Sequence, residues 1–131
     1  MTIAHSLHRS LANIVAASVL LLACLPGANA GDADVIEAAI SAAGDSRFRI
    51  DATVAHADTG WDHYADRWDV LTEDGTLLGT RTLHHPHETE QPFTRSLTLE
   101  IPADVLRVVI RAGDSVHGDA GGQTVTIDVP H

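Results

Sequence analysis

Side chains that alternate between apolar and polar with a period of two dominate this chain from residue 47 onward. In Arg47-Phe48-Arg49-Ile50-Asp51-Ala52-Thr53-Val54, the apolar residues share one face and the arginine, aspartate and threonine take the other. Only an extended strand puts every second residue on one side, so this is a half-buried strand. Phe93 to Ile101 repeats the pattern, with Leu97, Leu99 and Ile101 facing inward, and Thr124 to Val129 does so through Val125, Ile127 and Val129. Tyr64–Thr72 and Thr76–Leu83 form a further pair joined by Glu73-Asp74-Gly75, and Asp-Gly between two apolar runs signals a hairpin. Leu106, Val108 and Ile110 mark another strand with an inward-facing set.

The segment 35–42 reads two ways. Asp34-Val35-Ile36-Glu37 fits the capping box of a short Ala-rich helix ending at Gly44. It also fits a first strand that turns back through Gly44-Asp45-Ser46, and this is favoured because it pairs an otherwise open sheet edge. The expected strands are therefore 35–42, 47–57, 64–72, 76–83, 93–101, 105–112 and 123–129. Seven short strands with regularly spaced turns predict an all-β fold, a single antiparallel β-sandwich. In strand count and spacing it resembles an immunoglobulin-like or fibronectin type III domain, with Trp68 where such a domain keeps its central tryptophan. That likeness carries no function.

Residues 1–30 read as a signal peptide and residues 31–131 as the sandwich domain. His5, His8 and Arg9 give a basic start, Leu11 to Leu25 is almost wholly apolar, and Ala28-Asn29-Ala30 offers the small-x-small pattern of a cleavage site. The apolar run is shorter than the roughly 20 residues that a membrane span needs. Leu21-Leu22-Ala23-Cys24 resembles a bacterial lipobox, so a lipid anchor at Cys24 is the alternative to cleavage after Ala30. Both routes take the protein out of the cytosol, to a periplasmic or secreted location. Cleavage after Ala30 removes Met1 and Cys24, so no disulfide can brace the domain and its core must hold it. A formal net charge of −10, with no lysine, disfavours nucleic acid and anionic membrane as partners and is compatible with cations.

In a sandwich with this strand order, alternate connections fall at opposite ends. His56 and His63 flank the second connection, His84, His85 and His87 sit in the fourth, and His117 sits in the sixth, all at one pole. Asp58, Asp62, Glu88, Glu90, Asp114 and Asp119 lie in the same connections, whereas the loops of the other pole hold no histidine. Imidazole with nearby carboxylate is the chemistry of a Zn²⁺ or Cu²⁺ site. Pro86 favours an extended backbone at His85, which turns His85 and His87 the same way. The candidate ligands are His63, His85, His87 and His117, supported by Glu90 and Asp62. The competing reading gives the same side chains to loop bracing, in a metal-free structural or protein-interaction domain.

Other residues are weighed alongside them. Trp61 is expected to plug the end of the core, and Arg95, inward by alternation with Phe93 and Leu97, needs an acid partner. Asp114-Ser115-Val116-His117 is not read as a hydrolytic triad, since no nucleophile elbow accompanies it, and no catalytic residues are assigned. Gly79, His85, His87 and Glu90 narrowly miss the cupin metal motif, with the glutamate one residue early. The segments Asp58–Asp66, His85–Arg95 and Asp114–Gly118 resemble a group of small exported proteobacterial proteins with no assigned activity. That resemblance implies export and a compact sandwich, and no site residues.

Overall fold

The computed structural model describes residues 31–119 and 121–131, so the expected signal segment and Cys24 lie outside the described residues. Seven strands form: β1 (Asp34–Gly44), β2 (Arg47–Ala55), β3 (Ala65–Thr72), β4 (Leu77–Thr82), β5 (Phe93–Glu100), β6 (Arg107–Asp114) and β7 (Val125–Asp128). They pair antiparallel in two sheets, ordered β1-β2-β5 and β4-β3-β6-β7. This is an all-β sandwich of the immunoglobulin-like kind. Residues 34–44 are strand throughout, so the helical alternative for this segment is not realised. Pairing with β2 gives its backbone groups partners along nearly the whole strand, and an isolated Ala-rich turn offers no comparable number.

The inward faces meet in one core. Phe48, Ile50, Ala52 and Val54 of β2 face Trp68 and Val70 of β3 and Val108, Ile110 and Ala112 of β6, all buried. Trp68 is 0 % exposed, and truncating such a residue to alanine costs about 3–5 kcal/mol. The β3–β4 turn uses the expected Asp-Gly. Asp74 Oδ1 accepts from the Thr72 hydroxyl and from Thr76 N, while Gly75 takes φ 91°.

Two core expectations are corrected. Leu106 is 68 % exposed, because β6 begins at Arg107 and Leu106 lies ahead of it, just after the turn in which Val105 N bonds Pro102 O. Ile101 and half-buried Val105 cover that end instead. Trp61 is 67 % exposed and plugs nothing; its ring meets Tyr64 edge-on with centroids 5.5 Å apart.

The connections β2–β3, β4–β5 and β6–β7 lie at one pole, as strand alternation requires. The start of β1 lies there too, because Asp34 pairs with Ala55 at the end of β2. The other pole is not free of histidine: His131 reaches back to it, edge-on to Phe48 at 5.6 Å, with Nε2 2.9 Å from Val105 O.

Candidate metal-binding pole

The β2–β3 and β4–β5 connections cross between sheets, so their backbone passes over the end of the core, where water is scarce. Buried backbone N–H groups must then find acceptors. Two buried aspartates supply them.

The first is Asp58, whose side chain is fully buried. Oδ1 accepts from His56 Nδ1 at 2.5 Å and from Ala65 N at 2.9 Å, and Oδ2 accepts from His87 N at 2.7 Å. One carboxylate thus ties the β2–β3 connection to the β4–β5 connection. His56 Nε2 lies 2.9 Å from Gly31 O, which clips the segment ahead of β1 to the same knot. Both His56 ring nitrogens face oxygen acceptors, so His56 and Asp58 brace the pole.

The second is Asp114, the last residue of β6 and 1 % exposed. Its Oδ1 accepts from Val116 N at 2.9 Å and His117 N at 2.7 Å, closing a tight turn after the strand. Gly118, at φ 65°, completes that turn by exchanging backbone bonds with Asp114 at 2.9 and 3.0 Å. Two imidazoles converge on the same oxygen: His63 Nε2 at 3.0 Å and His117 Nδ1 at 3.2 Å. Burial pushes the Asp114 carboxyl up, but the N–H groups of His117 and Val116 and the His117 ring outweigh it, holding the group below its ordinary 3.8. Asp114 is therefore a carboxylate at neutral pH.

Around it the donor atoms form two adjoining groups, His56/His63/Asp114 and Asp32/Asp114/His117, each with all its donor atoms within 4.8 Å of one another. His117 Nδ1 lies 3.7 Å from Asp32 Oδ1. A tetrahedral ion with bonds of about 2.0–2.1 Å separates neighbouring ligand atoms by about 3.3 Å. Within the Asp32/Asp114/His117 group, the contacts of 3.2 and 3.7 Å bracket that edge length. The His63 ring stands between those of His56 and His117, with centroids 4.8 and 5.0 Å away.

The sequence candidates thus divide. His63 and His117 come together at Asp114. His85 and His87 form a separate pair, with ring centroids 4.6 Å apart. His87 is buried, stacked on Phe93 at 3.9 Å and 11°, and its Nε2 faces the Arg95 guanidinium at 3.0 Å. A guanidinium only donates, so that nitrogen's lone pair is taken and the ring proton belongs on Nδ1. Burial first, then the charge of Arg95 and the neighbouring His85, push the His87 imidazole below its ordinary 6.5. Glu90 lies 3.4 Å from Arg95, the acid partner that this inward-leaning arginine needs. Asp62 is exposed.

Sequence reasoning placed Asp114 at this pole without seeing that it is the centre, and it missed Asp32. Both had a signal. An aspartate three residues before a histidine at a strand end suits a side-chain-closed turn. A first strand antiparallel to the second must begin where the second ends, which delivers Asp32 to the histidines.

No protein-family profile and no solved structure matches the chain. A relative from Halomicrobium mukohataei, described as a "Putative lipoprotein", is 42 % identical over 97 residues, which is 74 % of this chain and 47 % of the relative. The chain spans about half the length of the curated relative it matches. No helix among the described residues is long and apolar enough to cross a membrane.

Proposed function

We propose that this chain is an exported module, periplasmic or secreted, that captures a divalent cation at its histidine pole. Asp114 is the shared ligand, with His117 and Asp32 in one donor group and His63 in the adjoining one. The observation that carries the reading is the convergence of two imidazole nitrogens on one buried carboxylate, 3.0 and 3.2 Å from the same oxygen. With nitrogen and oxygen donors and no thiolate, Zn²⁺ or Cu²⁺ suits the set. His87 and Glu90, occupied around Arg95, and the exposed His85 beside His87 fall outside it. Export rests on the apolar leader, on Ala28-Asn29-Ala30, and on the relative's description as a lipoprotein. That description also favours a lipid anchor at Cys24 over a free mature form.

Untagged protein purified without chelator tests the site, by metal content and by thermal unfolding with and without EDTA. Stoichiometric zinc or copper and a melting temperature lowered by chelation are expected. His63→Ala and His117→Ala each weaken Zn²⁺ binding by roughly tenfold or more, while His85→Ala leaves it unchanged. Protein that neither carries nor is stabilised by either ion overturns the reading. The pole would then serve a metal-free interaction or structural domain, a role that the bracing by His56 and Asp58 already favours for that half of it.

A further inference from the structure

Among the described residues the sandwich has four open edges, and they are not alike. β7 is four residues long. β4 carries Arg81, and β5 carries Arg95 and ends in Glu100. Short strands and charges are how sheets keep neighbouring strands away. β1 carries Asp34 and Glu37 near its start and has neither protection beyond them. It is eleven residues long, and Ala38-Ala39-Ile40-Ser41-Ala42-Ala43-Gly44 holds no charge and no proline, in a chain with 18 acidic residues.

The start of β1 is already engaged, since Val35 N bonds Gln123 O at 2.9 Å and Asp34 Oδ1 accepts from Gln123 N at 2.6 Å. A register shift between Val35 and Glu37 separates this clasped start from the rest, and a second between Ala42 and Gly44 ends the regularly paired stretch. Among the described residues, 37–44 have β2 on one side and an open edge on the other, lined mainly by alanine, serine and glycine that leave room for a strand at about 4.7–4.9 Å.

We propose that the occupant of this edge is a second copy of the chain, paired antiparallel through β1 so that two three-stranded sheets become one of six. Charge selects the partner and the register. A chain of net charge −10 can pair with itself only where carboxylates do not oppose each other. A two-fold axis at Ile40 sets Ile40 against its copy, Ala39 against Ser41, Ala38 against Ala42 and Glu37 against Ala43, so no acid faces an acid. On the inner face, half-buried Ala38 and Ile40 pack against the core, and the Ile40 pair would carry that apolar layer across the axis. The two histidine poles then point in opposite directions, so the pairing does not depend on metal.

Sedimentation velocity in EDTA, over a concentration series reaching sub-millimolar protein, tests the proposal. The wild type should reach twice the monomer mass. Ala39 and Ser41 are exposed, so both accept charge without entering the core. Ala39→Asp/Ser41→Asp opposes like charges twice across the axis and should leave a folded monomer, with foldedness read from its thermal transition. Ala39→Arg/Ser41→Asp sets opposite charges face to face in the same register and should restore the dimer. A wild type that stays monomeric overturns the proposal. So does a dimer that survives Ala39→Asp/Ser41→Asp, or one that Ala39→Arg/Ser41→Asp fails to restore.

Discussion

The two ends of this sandwich are built from the same seven strands and closed by different chemistry. At one end the connections are short and self-sufficient. The Asp74 carboxylate serves only its own turn, Pro102 O takes Val105 N, and Ile101 with His131 covers the core. At the other end the crossovers are long, and their backbone is satisfied by side chains from elsewhere in the chain. Asp58 accepts the backbone N–H of His87, 29 residues away, while Asp114 closes its own turn and also holds the ring of His63, 51 residues away. A tight turn finds its hydrogen bonds within itself. A long crossover must borrow them, and the borrowed groups are those that can also hold a cation.

That contrast can be broken most sharply at Asp58. Asp58→Ala strands Ala65 N, His87 N and the His56 ring without acceptors, and should cost about 3–5 kcal/mol in denaturant unfolding. Asp74→Ala, the counterpart at the opposite pole, should lower stability far less, because water replaces an exposed carboxylate. Equal losses at the two sites would erase the distinction. Asp114→Asn separates bracing from ligation: it keeps the shape, should cost about 1–3 kcal/mol by weakening charge-assisted bonds, and should remove Zn²⁺ binding seen by titration calorimetry.

Acid should act on the histidine pole before the other end. His87 binds its proton less readily folded than unfolded, so its contribution is complete above pH 6.5 and declines as pH falls from there toward its lower folded value. Asp114 adds a second loss, beginning as pH falls through 3.8. Stability measured against pH should slope downward below 6.5, and His87→Phe should flatten that limb; an unchanged slope would clear His87 of the effect. Trp61→Ala is the smallest change expected, within about 0.5 kcal/mol, since a ring 67 % exposed contributes little to the closure of its pole.

Alternation made the strands legible, because burial on one face leaves a mark at every second residue. Phe48 to Val54 and Leu97 to Ile101 are read correctly for that reason. Leu106 shows the limit: an apolar residue in phase with a strand still points to solvent when the strand starts one residue later. The pole's location was legible from strand parity alone. Its internal partition was not, because whether His87 meets a metal or Arg95 depends on how two loops cross, and no local pattern records that. Asp114 escaped notice as a centre because its role comes from burial, which a strand-end aspartate does not advertise.

The position of the segment ahead of β1, beside the histidines, has a practical corollary. Gly31 and Asp32 belong to the candidate site, whereas His131 lies at the far end. A bulky fluorophore or fusion partner attached directly at Gly31 would crowd the very groups under study. One attached after His131 would leave them facing outward, so immobilising the domain by its carboxyl end is the orientation in which ion capture can be watched.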